Sequence, residues 1–279
     1  MQLTPEQVKG RIRNVAKENK ADARTLMRIY MMERFLERVA SSQYKDNFII
    51  KGGMLVTAMV GVALRSTMDI DTSIKNQSLS AEDARRIVDE IKDIDLGDGV
   101  TFEVKEVSNI MDEMEYPGIR FTMNAVMGKL VTPMKIDIST GDVITPRAIA
   151  YKYKLLLNDR SINLWSYNLE TILAEKLQTV LARGLLNTRM RDLYDITILL
   201  SIYEQDIDAD VLKEAFDATC KKRSTENLKE EAPQIMAAVS DDAQLHTLWK
   251  SYQKKYLYAA DISYEDIMES TMLLWSKIQ

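Results

Sequence analysis

The sequence predicts an α+β protein, with a mixed sheet and flanking helices in the first part of the chain and helices alone in the rest. Two observations carry this. Between Phe48 and about residue 156, short apolar, β-prone segments alternate with glycine or polar turns. From Asn168 to Gln279 there is one Gly and one Pro, and apolar residues recur at helical spacing almost throughout. A boundary near 160–168 follows, giving an N-terminal helical hairpin plus α/β domain over 1–165 and a helical C-terminal domain over 166–279.

Taken in order, Thr4-Pro5-Glu6-Gln7 is a helix start, with Thr as N-cap and Pro in the first turn, and Val8, Ile12 and Val15 give the helix over 5–18 an apolar face. Leu26, Ile29, Met32, Leu36 and Val39 predict a longer helix over 22–42 that pairs with the first. Phe48-Ile49-Ile50 reads as a strand running into Lys51-Gly52-Gly53 and a helix to about Val62. Ala63-Leu64 and Asp69 to Ile74 supply the next strand, with a polar turn over 75–78 and a helix from Ala81 to about Ile91. Further strands are expected over 100–108, 118–125, 130–139 and 148–156.

Composition removes several chemistries. A single cysteine, Cys220, cannot form an internal disulfide, and a single histidine, His246, lies twenty-six residues from it, so zinc sites, Cys–His catalysis and Ser–His–Asp triads are not expected. Both residues read as inert packing, as does Trp249. The longest apolar runs fall short of the ~20 residues of a membrane span, and MQLTPEQVKGRIR does not read as a secretory signal. A cytoplasmic protein without membrane partners is the expectation. The net charge of −5 argues against nucleic-acid binding by bulk electrostatics, though not against a local basic groove.

Catalysis must then rest on carboxylates, lysines and a metal. Asp69 and Asp71, two apart on a strand, share one face, and the repulsion between them calls for a cation. Asp137, on a face with Lys135 and Ser139, joins them if the two strands are neighbours. Carboxylates of this kind can hold Mg²⁺ on a nucleotide's phosphates and take the proton from an attacking hydroxyl. Gly52 and Gly53, at a turn that opens a helix, suit a phosphate through exposed backbone N–H groups. Lys176 falls inside the apolar stripe of the helix starting near Asn168 and needs either solvent or an anion. Asp192 and Asp195 share a helix face, where they could pair with Arg189 and Arg191 at the surface or act at the site. Arg183, with those two arginines, could line a groove for an acidic acceptor, and Lys221-Lys222-Arg223 reads as a solvated face.

The order Phe48-Ile49-Ile50-Lys51-Gly52-Gly53, then Arg65-Ser66-Thr67-Met68-Asp69-Ile70-Asp71, resembles the AbiEii/AbiGii toxin family of bacterial nucleotidyltransferases, with its K-G-G turn and R-x-S-x-D-I-D strand. Thr67 stands where that family usually has Ser. Ala174-Glu175-Lys176-Leu177, Arg183 and Arg189-Met190-Arg191-Asp192-Leu193-Tyr194-Asp195 are similar to the family's downstream segment, with Arg191 in place of Lys. The likeness spans about 48–200.

The resemblance implies a polymerase-β-like nucleotidyltransferase that moves a nucleoside monophosphate from an NTP, GTP or CTP among them, to an acceptor hydroxyl. Implied roles are Asp69, Asp71 and Asp137 as Mg²⁺ ligands and catalytic groups, and Gly52, Gly53, Ser66, Thr67, Lys176 and Asp195 as nucleotide contacts. Lys176 and Asp192 are also implied in catalysis. It implies a toxin of a toxin–antitoxin pair in abortive phage infection, with an antitoxin encoded alongside and a tRNA 3′ end as acceptor. A small-molecule, antibiotic-type nucleotidyltransferase and a non-catalytic NTP-binding protein are the alternatives.

Overall fold

The computed structural model describes residues 3–75, 80–110 and 118–279. From Asn76 on, the expected turn over 75–78 lies outside the described residues. The chain packs as two units, one of Met1–Asp142 with Ile149–Ser166 and one of Val143–Ala148 with Tyr167–Gln279. The crossing segment goes with the second unit because its backbone completes a helix start there. The Asn168 side chain donates to the carbonyls of Thr145 (2.6 Å) and Arg147 (3.3 Å), and Thr171 Oγ1 donates to Thr145 (3.2 Å).

The first unit holds helices α1 (Pro5–Glu18), α2 (Ala23–Ser41), α3 (Gly52–Val60) and α4 (Ala81–Lys92). Its strands are β1 (Phe48–Lys51), β2 (Asp69–Ile74), β3 (Thr101–Ile110), β4 (Gly118–Met127), β5 (Leu130–Thr140), β6 (Ile149–Lys154) and β7 (Ser161–Ser166). They form one mixed seven-stranded sheet in the order β3-β4-β5-β2-β1-β7-β6. Thr4 and Gln7 close a reciprocal capping box at the start of α1, which packs on α2. Two expectations are corrected. Ala63 and Leu64 precede β2 in a turn, because Gly61 at φ +88° ends α3 and its carbonyl accepts from the amides of Leu64 and Arg65. β7, which the sequence reading passes over, is completed only by non-local pairing, parallel to β1 and antiparallel to β6.

The second unit is helical, with α5 (Leu169–Arg183), α6 (Met190–Tyr203), α7 (Ala209–Lys222), α8 (Leu228–Asp241), α9 (Ala243–Lys255) and α10 (Tyr264–Ser276). Leu173, Leu177, Leu193, Leu199, Phe216 and Leu274 are fully buried in it. Among the described residues no helix is long and apolar enough to cross a membrane.

Helix α2 carries an unusual row of buried charges in the first unit: Glu33, Arg34, Glu37 and Arg38. Each is matched. The Arg38 fork donates to both oxygens of Asp98 (2.9 Å each) and to the Val100 carbonyl, fixing α2 to the start of β3. Glu37 pairs with Arg34 and with Arg160. Glu33 accepts the Leu156 amide at both oxygens (2.9 and 3.0 Å). Burial nevertheless pushes the Glu33 carboxyl up to about 8. A folded value raised above the unfolded one gives stability that is full below the ordinary 4.5 and is lost as pH rises through 8. Glu33→Gln, neutral at every pH and still able to accept one Leu156 bond, is expected to flatten that decline in urea midpoints measured from pH 5 to 9. An unchanged slope would mean that Glu33 is ionised throughout.

Candidate active site

The site of the first unit begins at the β1–α3 junction. Gly52 has φ +59°, a left-handed conformation, and a Cβ there would sit 2.7 Å from Asp71 Cγ, so only glycine lets the turn close over that carboxylate. The Gly53 amide, at the opening of α3, donates to Asp71 Oδ2 (3.2 Å). A Cβ on Gly53 would meet Thr67 Oγ1 at 2.6 Å. Thr67 is buried and donates to the Asp69 carbonyl (3.3 Å), and Arg65 donates to the Ser66 carbonyl. The glycine turn is thus fitted against β2 and the loop leading into it.

β2 and β5 are parallel neighbours, with Asp71 opposite Asp137 and Asp69 opposite Lys135. The condition under which Asp137 stands beside the pair is therefore met. Burial pushes the Asp71 carboxyl above the usual range, and the charges of Asp137 and Asp69 add to this, against the opposing pull of Lys51 and the Gly53 amide. Asp137 is buried and lies opposite Arg120 of β4, whose Nε and Nη2 donate to its two oxygens at 2.8 Å each. Across from Asp71, Lys51 ends β1 and pairs with Asp142, which also accepts the Ser139 hydroxyl (2.9 Å).

Arg120 and Asp142 escape a reading of the sequence alone, and Ser139 shows there only as a neighbour on the Asp137 face. Arg120 shows only as a cation in an alternating strand, and nothing local gives the register that sets it opposite Asp137.

The donor chemistry suits a divalent cation. Asp69 and Asp71 are hard oxygen donors two residues apart on β2. Mg²⁺ is commonly held by one or two carboxylates, with water and substrate phosphates completing its shell. Among the described residues no three His, Cys, Asp or Glu side chains are gathered to hold a metal ion, so the fit is to the pair. Asp137 keeps lone pairs beyond those Arg120 uses.

In the second unit Lys176, on α5, donates to Asp192 (3.1 Å) and Asp195 (2.6 Å), both on α6. All three side chains are buried, and Arg189 Nε lies 3.0 Å from Asp192. The lysine in the apolar stripe therefore has anions of its own chain, and the two aspartates are internal rather than at the surface. Burial alone would raise the Asp192 carboxyl, but Lys176 and Arg189 outweigh it and hold it below the usual 3.8. Its contribution to stability is present above that value and is lost as pH falls through the folded one. Arg191 is exposed.

Arg223 departs from the expected solvated face. It packs inward against Gln178 (2.5 Å) and Glu175 (3.3 Å), while Lys221 and Lys222 stay exposed. Trp249 and Cys220 are buried, the Cys220 thiol being pushed by burial to about 11, and His246 rests on the Tyr264 ring.

A glycine turn closing on paired strand aspartates, in a mixed sheet with flanking helices, marks a nucleotidyltransferase. The chain belongs to the AbiEii family, described as "Nucleotidyl transferase AbiEii toxin, Type IV TA system", whose profile matches residues 34–270. It is a nucleotidyltransferase of a type IV toxin–antitoxin family, and membership implies an NTP substrate and an antitoxin partner. Among curated proteins none matches by sequence. Solved structures similar to it include a candidate nucleotidyltransferase from H. pylori, with 16% identity and a TM-score of 0.49 over 91% of this chain and 96% of that one. JHP933 from Helicobacter pylori has 15% identity and a TM-score of 0.49 over 91% and 93%. An antigenic nucleotidyltransferase-like protein from Paracoccidioides brasiliensis has 14% identity and a TM-score of 0.39 over 73% and 90%.

The pairing of Lys176 reverses the stability effect that an unpaired buried lysine would have. Lys176→Met leaves Asp192 and Asp195 buried without the lysine that bridges them, and is expected to cost about 3–5 kcal/mol. Urea unfolding at neutral pH measures this, and adding Asp195→Asn should recover part of the loss. A midpoint equal to that of the unaltered protein would show that the three groups are not coupled.

Proposed function

We propose that the protein transfers a nucleoside monophosphate from an NTP, with Mg²⁺, to the 3′ hydroxyl of a tRNA, as the toxin of an abortive-infection pair whose antitoxin is encoded alongside. The observation that carries this reading is Asp71, set between Asp69 and Asp137 and raised by burial and by their charges. Asp69 and Asp71 would hold the ion. Mg²⁺, when bound, neutralises phosphate charge and lowers the barrier to attack at the α-phosphorus. The acceptor oxygen bonds to that phosphorus, the bond to the bridging β-phosphate oxygen breaks, and pyrophosphate leaves. The acceptor's proton passes to a carboxylate, for which Asp137 is the candidate, held in place by the Arg120 fork. The Gly52–Gly53 turn and Thr67 keep Asp71 and Asp69 aligned beneath the nucleotide.

One feature supports an enzyme over a binding module. A module that only held a nucleotide would gain nothing from a carboxylate kept beside two others against their repulsion. The choice of GTP, CTP or another NTP, and of tRNA over a small hydroxylated molecule, is one for experiment.

Each labelled NTP is incubated with Mg²⁺ and total RNA, and label is followed into tRNA. Asp69→Asn and Asp71→Asn are each expected to lower transfer at least ~100-fold while the thermal midpoint is kept. Full activity in both variants would overturn the assignment of the site. Label that enters only small molecules would move the acceptor to the antibiotic-type alternative.

A further inference from the structure

The second unit carries a corner that the chemistry above does not use. Over Ala243–Ala260 the chain has no Asp or Glu and three lysines, Lys250, Lys254 and Lys255, although its net charge is −5. All three are exposed, and none forms an ion pair among the described residues. Interleaved with them are Tyr252, Tyr256 and Tyr258, each half-buried.

The rings form a continuous set. Tyr256 lies 4.6 Å from Tyr252 and 5.4 Å from Tyr258, the second pair stacked with planes 24° apart. The Tyr252 and Tyr258 hydroxyls are 3.2 Å apart, and Lys255 Nζ is 5.2 Å from the Tyr256 ring. Behind them, the fully buried Tyr194 meets Tyr258 at 4.9 Å, so the set is backed by α6, the helix that presents Asp192 and Asp195 to Lys176. The rings are therefore held before any ligand arrives.

Half-open aromatic rings beside unpaired lysines suit one ligand chemistry in particular. Bases of a single strand stack on such rings, and the phosphates between them meet the cations. A face built to dock another protein would be poor in lysine, and a duplex would keep its bases stacked on one another. We propose that this α9 corner binds single-stranded RNA, with bases on Tyr256 and Tyr258 and phosphates on Lys250, Lys254 and Lys255. The choice of RNA over DNA rests on the acceptor reading above.

The test is fluorescence anisotropy of the full chain with a short labelled single-stranded RNA and a blunt RNA hairpin, without NTP or Mg²⁺. The single strand is expected to bind more tightly than the hairpin. Tyr256→Phe, which keeps the ring, should bind as the unaltered protein does, whereas Tyr256→Leu should bind roughly 5- to 100-fold more weakly. Replacing the three lysines by Gln should flatten the dependence of log K on log salt by about 2, at ~0.7 per phosphate contact. These surface changes leave the core intact, and circular dichroism checks this. Equal binding of hairpin and single strand overturns the proposal, as does unchanged affinity in both the Tyr256→Leu and the triple Lys variants. So does RNA transfer whose KM neither variant alters. RNA that is bound here but never labelled would overturn the acceptor reading alone and leave the binding surface standing.

Discussion

Neighbouring parallel strands lie about 4.8 Å apart, and the register of β2 and β5 sets Asp71 and Asp137 directly across that gap. Two carboxylates so placed repel, the more so where burial keeps water from screening them. Much of the surrounding structure answers this one constraint. Arg120 forks onto Asp137, the Gly53 amide points at Asp71, and Lys51 ends its strand opposite Asp71, steadied by Asp142 and Ser139. Gly52 lacks a side chain because the Asp71 carboxylate fills the space one would need. Even so Asp71 stays raised, first by its burial and then by the charges of Asp137 and Asp69.

The second unit gathers charges of the same kind to a different end. Lys176 bridges the buried Asp192 and Asp195, and Arg189 pairs with Asp192, so that Asp192 is held below its ordinary range rather than above it. In one cluster a lysine bridges two carboxylates and joins helices α5 and α6; in the other, burial and neighbouring carboxylates raise Asp71. The contrast shows why a buried lysine is weak evidence of a ligand until its own chain has been searched for partners.

What could be read from the sequence was what local chemistry fixes. The Thr4–Gln7 cap, the turn at Gly52 and Gly53, the shared face of Asp69 and Asp71 and the helical second half all rest on residues within a few positions of one another. What escaped depends on register between distant segments. Arg120 meets Asp137 across a strand pair, and Lys176 meets Asp192 and Asp195 across a helix pair. β7 is short, and it is completed only by pairing with β1 and β6. The charges Glu33, Glu37 and Arg38 of α2 are buried because Leu156, Arg160 and Asp98 arrive from elsewhere to meet them.

The path of the chain bears on how this protein can be taken apart. It passes between the units after Asp142, after Ala148 and again after Ser166, so neither unit is a single uninterrupted stretch. A fragment cut to begin at Tyr167 would lose the Thr145 and Arg147 carbonyls that receive the Asn168 and Thr171 side chains, and α5 would start with its cap half unmade. The six residues from Val143 to Ala148 thus act as a stitch, which makes the two halves poor candidates for exchange as independent cassettes. Relinking the chain with new termini would have to carry those residues along with the helices they serve.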